Sequence, residues 1–315
     1  MSKFDAVFVG LTILDIAGRP VSEIPERGGV QFIEQIRLNP AGTAAGALVN
    51  AAKLGIKTAT AACLGKDEKA VFILENYRRL GIDCSLIQQT DKKETSATIL
   101  PIRPNGERPA LHCRGASDEL FVSEEQFDDV LNCRFLHHGG TGLLAAMDKG
   151  QSAQLLKAAH QRGIVTSFDL IAPNDQTLDL LRPLLPYVDY FMPALEEAAF
   201  LSGLTEPAEI AAFFRDLGVG TCIFKDGAQG SWLFETEQAV HIPAYEIVAS
   251  DTTGCGDSYC GGFIAALAKG LSVKASCEIG SAVAALVATG LGSDAGLVDW
   301  QQLEHFMATT PLKAL

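Results

Sequence analysis

Residues 251–263 read DTTGCGDSYCGGF, and this stretch decides the fold of the chain. A Gly-Cys-Gly triplet at 254–256 stands immediately before an acid, Asp257, and an apolar run from Phe263 to Leu267 begins a helix. Free N–H groups at a helix N-terminus point outward, and the helix dipole favours negative charge there. A carboxylate beside such an anion hole suits proton removal by Asp257 while the amides stabilise a transferred phosphoryl group. The alternative is a glycine-rich turn in which Asp257 is an N-cap.

The size and charge of the chain limit its functional class. It has 315 residues, of which 48% are hydrophobic and 20% charged, enough for one large α/β domain or two small ones. The formal net charge of −13 argues against partnership with nucleic acid or with an anionic membrane surface. Nucleotide binding remains compatible with this charge, because helix N-termini and Mg²⁺ act locally.

The sequence predicts a cytoplasmic protein. The first residues, MSKFDAVFVG, begin a strand and lack the apolar centre of a signal peptide. No apolar run approaches the ~18 residues of a transmembrane helix. The eight cysteines form no CxxC pair and no zinc-ligand spacing, so we expect reduced thiols.

Strand and helix patterns alternate over most of the chain. DAVFVG at 5–10 and TATAACLG at 58–65 predict buried strands, and GTAAGALVNAAKLG at 42–55 predicts a helix. DEKAVFILENYRRLG at 67–81 predicts an amphipathic helix, with its acids early and its arginines late. From residue 133 onward the pattern repeats, from CRFLHHGG to two long alanine-rich helices at about 258–270 and 272–289. Repeated units of this kind predict an α/β fold with a mainly parallel central sheet and helices on both faces.

Two β-like segments interrupt the alternation and predict a small second sheet. They lie at about 12–40 and 95–115, and the second contains an Asn105-Gly106 hairpin signal. We expect them to form a lid that excludes water from the site, within a single domain spanning residues 1–315. An open lid edge also makes a homodimer through the lid an expectation.

A second motif joins the first and supports a family resemblance. PAGTAAGALVNAAKLG at 40–55, together with the stretch at 251–263, resembles the two signatures of the PfkB, or ribokinase-like, carbohydrate kinases. The resemblance covers nearly the whole chain. It implies a ribokinase-like fold, Asp257 as catalytic base, and an anion hole formed by Gly254, Cys255 and Gly256.

The resemblance also implies where the acceptor substrate binds. Asp15 matches an early acid that accepts hydrogen bonds from sugar hydroxyls. Gly42 is retained, whereas Gly46 stands where many members have an asparagine. Asn50 lies one helical turn further on the same face and is a candidate substitute, with a simple packing role as the alternative.

Two further segments resemble the nucleotide and metal motifs of these kinases. PALEEA at 193–198 places Glu197 where an acid organises Mg²⁺ through water, although Ala194 replaces the usual asparagine. KDGAQG at 225–230 resembles a KxGxxG segment that approaches ATP, through Lys225, Gly227 and Gly230, and a plain hairpin turn is the alternative.

The resemblance also implies a monovalent cation. Asp251 and the carbonyl of Thr253 match positions that bind K⁺ in several members of the family. A buried Asp251 must face either a cation or an N–H group, because an unpaired buried carboxylate is costly.

These observations together predict an ATP-dependent kinase that uses Mg²⁺ and phosphorylates a hydroxyl of a small sugar. A nucleoside kinase of the same fold is the first alternative. A non-catalytic protein that senses sugars or nucleotides is the second, and the changes at Ala41, Gly46 and Ala194 leave room for it.

Overall fold

The computed structural model describes residues 2–314 and places them in a layered α/β arrangement. The strands are β1 Phe4–Gly10, β2 Ile13–Arg19, β3 Gln35–Ala41, β4 Thr58–Ala61, β5 Cys63–Gly65, β6 Gln88–Thr90, β7 Ala97–Pro101, β8 Leu111–Cys113, β9 Cys133–Gly139, β10 Val165–Asp169, β11 Tyr190–Phe191, β12 Thr221–Lys225, β13 Ser231–Phe234 and β14 Val240–Ile242. The α-helices are α1 Thr43–Lys53, α2 Glu68–Arg79, α3 Phe127–Val130, α4 Gln151–Gln161, α5 Thr177–Leu181, α6 Leu195–Ser202, α7 Pro207–Asp216, α8 Cys255–Ala268, α9 Val273–Ala288 and α10 Trp300–Thr309.

The large sheet has eight strands in the order β14-β13-β12-β11-β10-β9-β1-β4. The pairs from β4 to β12 are parallel, and β13 and β14 extend the edge in antiparallel pairing. The chain passes from β1 to β4 on one side and to β9 on the other, so the strand order reverses at β1. Ligands of open α/β sheets bind beyond the carboxyl ends of the strands at such a point.

Both faces of the large sheet are covered by helices, as the alternating pattern predicts. Along β1, Val7 and Val9 pack into one hydrophobic core, while Ala6 and Phe8 pack into the other. The first core includes residues of α4, α6 and α7, and the second includes residues of α1, α2, α8 and α9. The central strands are buried on both faces, and β1 is apolar over residues 6–9, whereas β9 and β10 also bury His137, His138, Thr166 and Ser167.

A smaller sheet of four strands has the order β3-β2-β7-β8. Its strands come from the two segments in which the sequence predicts a second sheet. One row of its inner face is polar, because Asn39, Asp15, Thr98 and His112 are register partners across the four strands. This polar row faces the carboxyl ends of the large sheet.

The structure corrects four details of the sequence-based assignment. The predicted strand at 58–65 divides into β4, in the large sheet, and β5, which pairs with β6. The strands β7 and β8 are antiparallel but are joined by residues 102–110, and not by a two-residue turn. Helix α8 begins at Cys255, earlier than predicted, because Ser258 N–H already bonds to Gly254 O. The helix α10 was not predicted.

Candidate active site

A cavity of about 870 Å³ lies between the small sheet and the carboxyl ends of the large sheet. Its position is the one that the reversal of strand order at β1 favours. Residues of both sheets and of the N-terminus of α8 line it. The polar and glycine residues among them are Asp15, Gly42, Thr98, Arg108, His112, Asp169, Glu196, Glu197, Lys225, Asp226, Gly227, Thr252, Thr253, Gly254, Cys255, Gly256, Asp257 and Ser293.

The N-terminus of α8 lines one side of this cavity. Gly254 precedes the helix with φ of 71°, a left-handed conformation that glycine adopts without strain. A Cβ on Gly254 would lie 2.4 Å from the Cβ of Ser293, so the position also lacks space for a side chain. The turn therefore depends on glycine for two independent reasons.

The free amides at this helix terminus differ by one residue from the predicted set. Cys255 N–H donates to Thr252 O at 3.3 Å. The N–H groups of Gly254, Gly256 and Asp257 donate to no described residue between 2 and 314. Three unpaired donors at the positive end of a helix dipole suit an anion, and we call this group of amides the anion site. Burial raises the pKa of the Cys255 thiol to about 12, so this side chain stays neutral.

Asp257 faces the same cavity from the first turn of α8. Burial raises the pKa of its carboxyl group to about 7, and the nearby charge of Asp169 adds to the effect, while Lys225 opposes it. A carboxyl group with a pKa near neutrality is suited to accept a proton at physiological pH.

A buried ion pair lies beside the anion site. Lys225 Nζ, at the end of β12, is 2.7 Å from Asp169 Oδ2, at the end of β10. Burial alone would lower the pKa of Lys225, but Asp169, Cys260 and Glu197 together hold it above its usual value. The lysine therefore carries a positive charge into the cavity.

Glu197 lies in the first turn of α6 on the same side of the cavity. Its Oε2 accepts the N–H of Ala194 at 3.0 Å. Burial, followed by the charge of Asp169, raises the pKa of this carboxyl group. Carboxylate oxygens of this kind suit a hydrated Mg²⁺ ion, which keeps several of its waters.

The opposite wall, formed by the small sheet, carries the polar row. The hydroxyl of Thr98 contacts the carboxylate of Asp15 and lies 3.0 Å from His112 Nδ1. Burial, together with the charge of Asp257, raises the pKa of Asp15 to about 7. Arg108 also lines the cavity, and its positive charge partly offsets the rise in the pKa values of Asp15 and Asp257.

The structure separates the residues that were predicted to bind the acceptor. Gly42 lines the cavity at the start of α1, and a Cβ there would lie 2.6 Å from Leu11 O. Gly46 and Asn50 lie deeper, outside the cavity lining. The amide of Asn50 donates to Gly46 O at 2.8 Å and to Ser293 O at 3.1 Å. Asn50 therefore joins α1 to the loop that contains Ser293.

N–H and hydroxyl groups face Asp251. Its Oδ1 accepts the N–H of Thr253 at 2.9 Å and the Thr253 hydroxyl at 2.6 Å, and its Oδ2 accepts the N–H of Gly292 at 2.9 Å. These donors satisfy the buried carboxylate without a cation.

A second, mostly apolar cavity of about 220 Å³ opens beside the first. The two share Lys225, Gly227, Thr252, Cys255 and Gly256, and Gly230 lines the second only. Alanines 284, 285 and 288 of α9, together with Tyr245 and Ile247, form its walls. Its apolar lining suits a ring system, and its junction with the first cavity includes Cys255 and Gly256 at the N-terminus of α8.

Several lining residues were not found from the sequence. Asp169 ends a buried strand, and a polar residue at the carboxyl end of a parallel strand is a usable signal. The sequence offers no such signal for Arg108, Thr98 or His112, since their positions depend on the pairing of β7 with β2 and β8.

Asp257 and the three unpaired amides face one cavity, an arrangement that suits a phosphotransferase with a hydroxyl acceptor. Residues 3–300 match the family model described as "pfkB family carbohydrate kinase". The chain belongs to this family.

Individual relatives are distant but match along most of their length. A probable fructokinase-5 of Arabidopsis thaliana is 22% identical over 79% of this chain and 81% of its own. The structure of an Arabidopsis thaliana ribokinase complexed with ribose and ATP has a TM-score of 0.83, with 22% identity over 98% of this chain and 99% of its own. A nucleoside kinase of Methanocaldococcus jannaschii has a TM-score of 0.78, with 22% identity and coverage of 98% and 99%.

In the part of the chain that the structure describes, no helix combines the length and the apolar sequence needed to cross a membrane.

Proposed function

We propose that this protein transfers the γ-phosphate of ATP to a hydroxyl group of a small sugar or sugar-like molecule. Asp257 accepts the proton of the attacking hydroxyl. The amides of Gly254, Gly256 and Asp257 stabilise the charge on the transferred group. The observation that carries the proposal is the placement of a base with a pKa near neutrality beside three unpaired amides in one cavity.

The two cavities divide the substrates between them. The purine ring and ribose of ATP occupy the apolar cavity beside Gly227 and Gly230, which suits stacking on alanine and aliphatic side chains. The phosphates extend past Lys225 to the helix terminus. The carboxylate of Glu197 holds Mg²⁺ through water, and Mg²⁺ neutralises phosphate charge when it is bound.

The acceptor binds between Asp257 and the polar row of the small sheet. Asp15 accepts hydrogen bonds from the hydroxyl groups of the acceptor, and Thr98 donates to them. Because Gly42 has no side chain, the acceptor can approach the start of α1. An unactivated hydroxyl is a weak nucleophile at neutral pH, so its position against the phosphate contributes more than basicity. The small sheet acts as a lid, which excludes water and limits hydrolysis of ATP.

The test is a panel of acceptors in a coupled assay for ADP release. Sugars, sugar acids and nucleosides are offered with ATP and Mg²⁺, and mass spectrometry of the product confirms transfer. We expect one acceptor to stimulate ADP release far above the rate with water. Binding of ATP without transfer to any member would contradict the proposal and favour the sensing alternative.

A nucleoside as acceptor is the second candidate. The acceptor end of the cavity has apolar side chains beside its polar row, including Leu11, Leu100, Leu143 and Ile171. Such walls suit a molecule that joins a polyol to an apolar ring. The nucleosides in the same panel distinguish this candidate from a free sugar.

Activation by K⁺ remains a prediction for Asp251 and Thr253. Titration of K⁺ against a constant ionic strength of tetramethylammonium chloride tests it. A rise in kcat with K⁺ would support a cation beside the anion site. A constant rate would indicate that Asp251 needs no cation, because three hydrogen-bond donors already satisfy its carboxylate.

We further propose that two copies associate through the outer face of the small sheet. Leu38, Ile16, Ile99 and Leu111 are register partners on that face, and the side chains of Ile99 and Leu111 are 51% and 62% exposed. A row of exposed apolar residues on an open sheet favours association. Sedimentation equilibrium should show a dimer for the wild type and a monomer for Ile99→Glu. A monomeric wild type would contradict the proposal.

A further inference from the structure

The ion pair of Lys225 and Asp169 is unusual in its burial. The side chains are 12% and 1% exposed, respectively, and both line the large cavity. A buried ion pair seldom stabilises a fold more than apolar residues of similar size would. Its retention at the wall of a cavity therefore indicates a role for at least one of the two charges.

The ammonium group of Lys225 lies alongside the anion site. A Cβ added to Gly256 would be only 3.1 Å from Lys225 Nζ, so the absence of a side chain at Gly256 makes room for the lysine. The unpaired amides of Gly256 and Asp257 are part of the same turn. One fixed cation and the positive end of a helix thus converge on the same part of the cavity.

The carboxylate of Asp169 is fully engaged by the protein. Its Oδ2 accepts from Lys225 Nζ and lies 3.4 Å from the thiol of Cys260, and its Oδ1 accepts the N–H of Leu170 at 2.8 Å. Glu197 accepts backbone hydrogen bonds from Ala194 and Ala172, whereas Asp169 pairs with the ammonium group of Lys225. Asp169 is therefore arranged to hold Lys225.

Lys225 is a positive charge in a mostly acidic wall of the cavity. The charges that face Asp257 are Asp169 from β10, Lys225 from β12, Glu197 from α6, Arg108 from the segment between β7 and β8, and Asp15 from β2. Phosphate groups could not bind against this wall unless positive charge offset the repulsion by its carboxylates.

We propose that Lys225 contacts the transferred phosphoryl group as a catalytic cation, and that Asp169 is the positioning residue that holds it there. The inference rests on the proposed kinase function. As the acceptor oxygen bonds to phosphorus, the bond from phosphorus to the ADP oxygen breaks, and the acceptor proton goes to Asp257. Lys225 keeps its proton and stabilises the oxygens of the phosphoryl group through the transition state.

The kinetic test compares Lys225→Met, Lys225→Arg, Asp169→Asn and the double variant Asp169→Asn/Lys225→Met. We expect Lys225→Met to lower kcat by a factor on the order of 10² or more, with an unchanged KM for the acceptor. Lys225→Arg should recover part of this loss. Asp169→Asn should cost about tenfold, and the double variant should be no slower than Lys225→Met, because Asp169 acts through the lysine.

An equilibrium measurement tests the same contact without turnover. Calorimetry with Mg²⁺ should show that Lys225→Met weakens binding of the β,γ-imido analogue of ATP and leaves binding of ADP unchanged. An equal loss for both nucleotides would overturn a contact with the transferred group. If the wild type transfers phosphate to no acceptor, the kinase function fails, while this binding comparison still tests Lys225.

Two other outcomes would also overturn the proposal. Losses in kcat that multiply in the double variant would show that Asp169 does not act through Lys225. A raised Mg²⁺ requirement in Asp169→Asn alone would show that this carboxylate serves the metal. Lys225→Met leaves Asp169 unpaired and for that reason could fail to fold. In that case the double variant, which removes both charges, replaces it. The proposal then requires the double variant to be at least tenfold slower than Asp169→Asn.

Discussion

Gly46 and Asp257 are in direct contact across the packing of α1 against α8. A Cβ on Gly46 would lie 2.7 Å from the Cβ of Asp257 and 2.9 Å from its Oδ2. Real Cβ atoms do not approach other atoms this closely, so a larger residue at 46 must displace the base. The absence of a side chain at Gly46 thus leaves room for the side chain of Asp257.

We therefore expect Gly46→Ala to lower kcat by about 10- to 100-fold, since displacement of a catalytic group by about 1 Å can have this effect. The KM for the acceptor should change less than kcat. Gly28→Ala is a matched control, because a Cβ there has open space around it. Steady-state kinetics of both variants test the prediction, and full activity of Gly46→Ala would contradict the contact.

The pKa of Asp257 predicts the pH dependence of turnover. A general base must be deprotonated, and burial raises the pKa of this carboxyl group to about 7. We expect kcat to rise about tenfold per pH unit below pH 7 and to level off above it. A pH–rate profile at saturating substrates measures this. A kcat that stays constant down to pH 5 would show that no group with this pKa limits turnover.

The same pKa shift predicts a pH-dependent gain in stability when the charge is removed. Asp257 binds its proton more tightly in the folded state, so its contribution to stability is complete below pH 3.8 and is lost as the pH rises through about 7. Asp257→Asn should therefore become more stable than the wild type across this window, by at most about 1.4 kcal/mol per pH unit.

Urea unfolding of the nucleotide-free protein at several pH values checks this difference. Asp91→Asn controls for the loss of one exposed carboxylate, because the Asp91 side chain is 79% exposed. A difference between Asp257→Asn and the wild type that is the same at pH 4.5 and pH 8 would refute the assigned shift.

Asp294 joins the small sheet to the loop behind the anion site. It accepts hydrogen bonds from Arg37 and Asn39 of β3 and from Lys53 at the end of α1. Asp294→Ala leaves the Lys53 ammonium without its carboxylate in a largely buried position, which should cost about 3–5 kcal/mol.

Chemical denaturation of Asp294→Ala measures that cost. The exposed pair of Lys66 and Asp91 offers a control, and Asp91→Ala should cost at most about 1 kcal/mol. Similar stability of the two variants would mean that the network around Asp294 contributes little.

The sequence predicted most of the large sheet because local patterns there agree with the tertiary structure. Strand β1 is buried on both faces and reads as an apolar run, β9 and β10 follow the alternation of strands and helices, and α2 has its acids early and its arginines late. The division of residues 58–65 into β4 and β5 depends on the distant partner β6, and the segment itself carries no sign of it.

The candidate site, like the fold, could be predicted only in part from the sequence. The turn at 254–256 and Asp257 form a contiguous motif, so the sequence alone predicts that they lie together at one helix terminus. The roles of Gly46 and Asn50 depend on the contact of α1 with α8 and with the loop at Ser293, which are far apart in the chain. Spacing along one helix placed Asn50 on the face of Gly46, but it could not show that this face is covered.

The central claim is that Asp257 is the base of a phosphoryl transfer, and the turnover of Asp257→Asn tests it most directly. The variant keeps the shape of the side chain, and binding of ATP by calorimetry shows whether the fold is intact. With the acceptor identified by the panel, we expect kcat to fall by a factor on the order of 10² or more. Turnover near that of the wild type, with ATP still bound, would contradict the account.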